Sequence, residues 1–232
     1  RSAFVTGVQT CALPISQIVS GSFADLDAAE GSFDAAVGNV PFAKVALSDP
    51  RHNPGQHSLH NHFIIKALHL VRPGGLVAVL TSRYTLDAQN PAARREMAQL
   101  ADLVGAVRLP TGAHRRAAGT DVVTDLLILR RHLPDEPPAD GGWELASPRP
   151  VPDRDGGEVD VNINQYFHDN PDHVLGELLV SHGQYGDNDL QVVGERDAAP
   201  ALTLVLGQLV ASATERGQTM TAASPAIGRA HV

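Results

Sequence analysis

The stretch FDAAVGNVPF, residues 33–42, decides how the chain is read. It begins with an apolar run suited to a strand buried on both faces, and Gly38 and Pro41 end that run. A polar loop follows at residues 48–58, rich in Asp, Pro, His and Gly. Over residues 60–71 the apolar side chains Phe63, Ile64, Ala67, Leu68 and Val71 recur at helical spacing. Arg72-Pro73-Gly74-Gly75 stops that helix, with basic charge at its end and glycine beyond it. Residues 76–82 (LVAVLTS) read as a second buried strand. Residues 91–103 read as a helix, with Asn90 as its N-cap and Pro91 near its start. Residues 103–109 (LVGAVRL) and 122–130 (VVTDLLILR) read as two more strands, joined by a loop over residues 110–119. Upstream, residues 17–23 read as the end of a strand.

Strand, helix, strand, helix, strand predicts an α/β fold with a parallel sheet. The last two strands are joined without a helix, so they are expected to pair antiparallel at one edge. Residues 133–158, rich in Pro, Asp and Gly, read as a linker. An extension, residues 159–226, holds a short helix-like piece, a glycine-rich turn (HGQYGDNDL) and an apolar helix at 201–213, and 214–226 read as unstructured.

Composition sets outer bounds. The 232 residues suffice for one domain and part of another. No apolar run reaches the ~18 residues that cross a bilayer, so no membrane segment is expected. The formal net charge of −8 does not advertise a nucleic-acid binder, although a local basic groove in an acidic protein still binds phosphate. The single cysteine, Cys11, excludes a disulfide framework and a cysteine-based zinc site. The first residues lack the apolar core of a signal peptide, and a cytoplasmic location is expected.

The two ends read as foreign. Residues 5–15 (VTGVQTCALPI) and 227–232 (IGRAHV) resemble translations of a sequencing-adapter oligonucleotide, one from each strand. IGRAHV can be coded as ATCGGAAGAGCACACGTC, and the reverse complement of that string lies one frame over within codons for residues 9–15. Residues 1–16 and 227–232 are therefore expected to be artefacts, and the natural protein is expected to extend past both.

In open α/β sheets, ligands sit beyond the carboxyl ends of the strands, and Asn39-Val40-Pro41-Phe42 occupies that place. An asparagine amide oxygen accepts a hydrogen bond from an exocyclic amine. A proline stiffens the turn and lacks a backbone donor, leaving carbonyls to face the same amine. An aromatic ring offers a stacking platform for a base taken out of a duplex. Two acceptors on one amine favour a tetrahedral nitrogen whose lone pair can attack a methyl group. That chemistry needs no side-chain base.

The tetrapeptide resembles the (Asp/Asn/Ser)-Pro-Pro-(Tyr/Phe) motif of amino-methyltransferases, with Val40 in place of the first proline. RPGGLVAVLTSRYTLD (72–87) and LPTGAHRRAAGTDVVTDLLILRR (109–131) are similar to the following segments of adenine-specific DNA methyltransferases. The specific likeness is to large bacterial plasmid- or phage-type proteins that join such a domain to a Swi/Snf-like helicase. It covers residues 17–132, with a weaker match over residues 161–192. The resemblance implies the C-terminal half of a Rossmann-like sheet, S-adenosylmethionine as cofactor, DNA as substrate and a helicase domain in the parent chain. It also implies that Asn39 and the carbonyl of Val40 or Pro41 hold an adenine N6 amine, and that Phe42 stacks on the base. Ser22 falls where related enzymes often carry an acidic residue near the cofactor's adenine; serine can accept a hydrogen bond there but brings no charge. The family's glycine-rich cofactor loop does not appear upstream of Ser22, so the chain alone is expected to bind the cofactor poorly and to be inactive. The same tetrapeptide also serves enzymes that methylate protein glutamine or RNA bases, and a non-catalytic DNA-binding module of a helicase protein is the third reading.

Other groups lie outside the motif. His52, His57, His60 and His62 fall within eleven residues, but no nearby Cys or acidic residue in the sequence completes a zinc set. They read as polar loop and helix-start residues, and no metal is expected. Arg115 and Arg116 are candidates for DNA phosphate, with Thr120 in the loop that shapes the family's target pocket. Arg94 and Arg95 read as helix-surface residues. Asp87 and Asp121 read as capping or turn residues.

Overall fold

The computed structural model describes residues 21–43, 45–113, 122–139, 141–183, 186–195 and 197–220. The adapter-like ends, Asp121, and the DNA-contact candidates Arg115, Arg116 and Thr120 lie outside them.

Four strands form the main sheet: β1 (Phe33–Asn39), β2 (Val71–Ser82), β3 (Ala101–Arg108) and β4 (Thr124–Arg131). Their order is β1-β2-β4-β3; β1 runs parallel to β2, and β4 runs antiparallel to both β2 and β3. The fold is α/β with a mixed sheet, as expected. The antiparallel strand, however, is interior: β4 is inserted between β2 and β3. Its composition is compatible with that place. Leu127 and Leu129 face one core and Leu126 and Ile128 the other, so both of its faces need cover.

Helices lie on both faces. α1 (Leu59–Leu70) and α3 (Ala92–Leu100) pack on each other and on the face that carries Val77, Val79, Leu127 and Leu129. α5 (Ala199–Glu215) covers the other face, with Val205 and Leu209 against Val107 and Leu109. The four-residue helix α2 (Tyr84–Asp87), which the sequence reading did not foresee, follows β2 directly.

β1 departs from expectation. Most of it is exposed, with Val37 at 67% and Phe33 at 46%. It is an edge strand among the described residues, and α1 packs mainly on β2 and α3 instead of over it. Residues 21–25 likewise form a bend and a 3₁₀ turn, not a strand end; Phe23 there packs on Phe63, ring centroids 4.5 Å apart.

The helix α1 ends at Leu70 as the RPGG signal predicts, but no separate turn follows. β2 begins at Val71 and contains Arg72-Pro73-Gly74-Gly75. The β1–β2 register shifts here, between Phe33 and Ala35. Gly74 has φ 71°, and a Cβ on Gly75 would lie 2.5 Å from the Asp34 carbonyl oxygen. The two glycines thus make a bulge in the ladder where two backbones meet.

The expected linker, 133–158, is built into the fold. Trp143 is 4% exposed, and β5 (Ala146–Pro152) pairs antiparallel with β6 (Glu158–Asn164). Pro148, Pro150 and Pro152 gave the stretch its linker-like composition. They sit at alternate positions opposite Asn162, Asp160 and Glu158, so their missing N–H groups fall on the outer edge of the hairpin, where a strand tolerates proline. α4 (Gln165–Asp169) follows, then a second antiparallel pair of β7 (Glu177–Gly183) and β8 (Gly186–Val193). Val161, Ile163, Phe167, Val180 and Leu190 share one core with the α1 face of the sheet.

Candidate functional site

The carboxyl ends of β1 and β2 lie side by side, with Asn39 opposite Leu80. The ladder runs one step into the motif: the Val40 N–H donates to the Leu80 carbonyl at 3.0 Å. A proline at 40 would lack that donor, so the departure from the family pattern has a structural counterpart. The Val40 side chain is buried in the core, Asn39 is exposed, and Phe42 is half-buried against the same core. A fixed valine therefore separates an open amide from a ring anchored on one side.

The loop after the motif is pinned from below. Asp49 accepts from Lys66 Nζ at 3.1 Å, from His62 Nε2 at 3.0 Å and from the His52 N–H at 3.1 Å. Burial opposes the Asp49 charge, but the hydrogen bonds from Lys66 and His62 prevail and hold its carboxyl well below the usual range. The remaining histidines disperse. His57 Nε2 lies 2.8 Å from Glu96 Oε2, and His60 Nε2 lies 3.1 Å from Ser58 Oγ. Burial pushes His60 down to about 4. Among the described residues, no group of three or more His, Cys, Asp or Glu is placed to hold a metal ion.

Beyond β2 the same sheet end carries a dry ion network that the sequence reading missed. Asp87, read as a capping residue, has its side chain fully buried. Its Oδ2 receives Arg108 Nη2 at 2.9 Å and Arg83 Nη1 at 3.4 Å, and its Oδ1 accepts from the Asn164 N–H at 2.9 Å. Arg108 also meets Asp125, and its guanidinium lies 4.2 Å from the centre of the Phe167 ring. Burial disfavours the Arg108 charge, but Asp125 and Asp87 outweigh it and raise its pKa above the ordinary arginine value. Arg94, read as a surface residue, is buried too and donates to the carbonyls of Glu144, Thr85 and Ala88; Arg95 is exposed. The available signal was charge inside apolar strands: Asp125 within β4 and Arg108 closing β3 need partners once buried.

At this sheet end Asn39 presents an exposed amide. Ser22, the one cofactor candidate, accepts from the Ala24 N–H at 3.3 Å as the cap of the 3₁₀ turn. No glycine-rich loop joins a strand to a helix upstream of β1 among the described residues.

No family model matches the chain, and the curated proteins give no match. Among solved structures, the chain is similar to a protein described as a class I S-adenosylmethionine-dependent methyltransferase from Listeria monocytogenes, at 18% identity and a TM-score of 0.37 over 46% of this chain and 34% of that one. It is similar to the M protein of the type I restriction enzyme EcoKI at 16% identity and a TM-score of 0.36, over 78% of this chain and 48% of that one. It is also similar to a protein described as a DNA modification methylase from Thermus thermophilus, at 15% identity and a TM-score of 0.29, over 50% of this chain and 53% of that one. The chain spans about half or less of the length of each.

Proposed function

We propose that the chain carries the base-binding half of a DNA methyltransferase that moves a methyl group from S-adenosylmethionine to the N6 amine of adenine. One observation carries the reading: Asn39-Val40-Pro41-Phe42 stands at the carboxyl end of β1, with Asn39 open to solvent and Val40 tied to β2. In this reading the Asn39 amide oxygen and the carbonyl of Val40 or Pro41 accept the two amine protons, and Phe42 stacks on the flipped base. Holding both protons keeps the nitrogen lone pair free as the nucleophile. S-adenosylmethionine supplies an electrophilic methyl group when bound. In this reading the groups that hold it lie outside the described residues, and the 232 residues alone transfer no methyl group. Arg115, Arg116 and Thr120 are the proposed DNA contacts, and the likeness of residues 72–87 and 109–131 to helicase-linked enzymes supports a parent chain with a helicase domain.

The test is transfer from radiolabelled S-adenosylmethionine to duplex DNA, followed by digestion and identification of the nucleoside. It uses the 232-residue chain and the same chain joined to the sequence that precedes it in its gene. The longer protein is expected to make N6-methyladenine, to lose about a hundredfold in rate on Asn39→Ala, and to leave RNA and protein glutamine unlabelled. Label on glutamine or RNA would overturn the substrate. Micromolar cofactor binding by the 232 residues alone would overturn the half-site reading.

A further inference from the structure

Tyr84 is a large aromatic residue left 51% exposed, and it belongs to neither hydrophobic cluster. It stands at the same sheet end as the motif. Leu80 is the register partner of Asn39, and β2 runs two residues further to Ser82. A strand spacing of ~4.8 Å and a rise of ~3.3 Å per residue put the Ser82 and Asn39 Cα atoms about 8 Å apart. Tyr84 opens the helical turn just beyond.

The ring is also held. The Arg83 guanidinium carbon lies 4.4 Å from its centre, and Arg83 Nη2 donates to the phenol oxygen at 3.2 Å. Arg83 is itself tied to the buried Asp87, which Arg108 and Asn164 fix in turn. The backbone is pinned as well: the Tyr84 N–H donates to Ser82 Oγ at 3.3 Å, and the Arg83 N–H to the Val123 carbonyl at 3.2 Å. An arginine thus backs one face of the ring, and half of the residue's surface stays open.

A fixed, uncovered aromatic ring stacks on a nucleobase with little loss of side-chain freedom, because its position is already set. We propose that Tyr84 stacks on a nucleobase adjacent to the one whose amine Asn39 binds. This rests on the methyltransferase reading of that sheet end. The occupant is a base and not an apolar peptide because the ring shares its sheet end with an open amide suited to an exocyclic amine.

The experiment titrates the 232-residue chain into a single-stranded oligonucleotide in which 2-aminopurine replaces adenine, following quenching of its fluorescence. The wild-type chain is expected to quench on binding. Tyr84→Phe keeps both effects. Tyr84→Ala and Tyr84→Leu, the latter retaining bulk without a π face, weaken binding about tenfold and lose most of the quench. Unchanged binding and quenching in both of the latter variants, with wild-type circular dichroism, would overturn the proposal, and so would a wild-type chain that binds no oligonucleotide. The methyl-transfer assay separates the two readings. Transfer whose KM is unmoved by Tyr84→Ala removes only the stacking role; Tyr84-dependent quenching without transfer in the longer protein removes only the enzymatic reading.

Discussion

Arg108 and Asp125 meet in a two-pronged ion pair with both side chains at zero exposure: Nε lies 2.8 Å from Oδ1, and Nη2 lies 2.9 Å from Oδ2. They are register partners at the ends of β3 and β4. Breaking one partner of a buried pair costs about 3–5 kcal/mol, because the other charge stays behind in a dry site. Arg108→Met is expected to reach at least that range, since it strands Asp125 and leaves Asp87 with only Arg83, at 3.4 Å, and the Asn164 N–H. Asp125→Asn is expected to cost less, since Asp87 still pairs with the arginine. Urea denaturation of the two variants checks the order, and a milder Arg108→Met would refute it.

Acid is expected to weaken the fold above the carboxylate range. His60 is held at about 4 by burial, against an ordinary value near 6.5. The unfolded chain therefore takes up this proton first as pH falls. Stability from His60 is fully present above about pH 6.5 and is lost progressively toward pH 4, by up to about 3 kcal/mol. Burial shifts His62, His69 and His173 the same way. Denaturation midpoints measured from pH 7.5 to 4.5 should fall, and His60→Asn should flatten that slope.

The bulge predicts unequal glycines. A Cβ on Gly75 would press 2.5 Å from the Asp34 carbonyl and 2.9 Å from that of Arg72. Both are backbone atoms that cannot step aside. Gly75→Ala is therefore expected to cost more than about 2 kcal/mol. Gly74 has φ 71°, so Gly74→Ala takes on the strain of the left-handed conformation, about 1 kcal/mol. Equal midpoints for the two alanine variants would count against the bulge.

Within the motif, stability and chemistry should separate. Asn39 is exposed, so Asn39→Ala should leave the unfolding free energy within about 0.5 kcal/mol, even as it slows transfer about a hundredfold in the longer protein. Val40→Pro removes the N–H that bonds Leu80 and a buried side chain, and should cost about 1 kcal/mol or more. Calorimetric melting of both variants decides the matter.

Periodicity made the main sheet legible. The apolar runs of β3 and β4 and the helical spacing of α1 are local signals that agree with the structure to within two residues, whereas β2 begins at Val71, five residues ahead of its apolar run. The place of β4 was not legible, because strand order depends on which faces find cover. Nor was the exposure of β1: an apolar run reads the same whether or not a helix lies over it. Asp87 and Arg94 were misjudged for a related reason. A charged side chain in a short polar stretch looks solvated until its distant partners are seen, and those of Asp87 are Arg108 and Asn164. That a strand ends at Asn39 is legible, because strand ends are written locally.

The three alternating prolines of β5 set a limit on how the second half of the chain can zip together. β5 lies against β7, yet the two share a bridge just past the last proline, between Asp153 and Val180. Three consecutive donors are missing from the edge that would otherwise continue that pairing. The two hairpins thus remain separate two-stranded ribbons joined through side-chain packing, where three ordinary residues would let them pair into one four-stranded sheet.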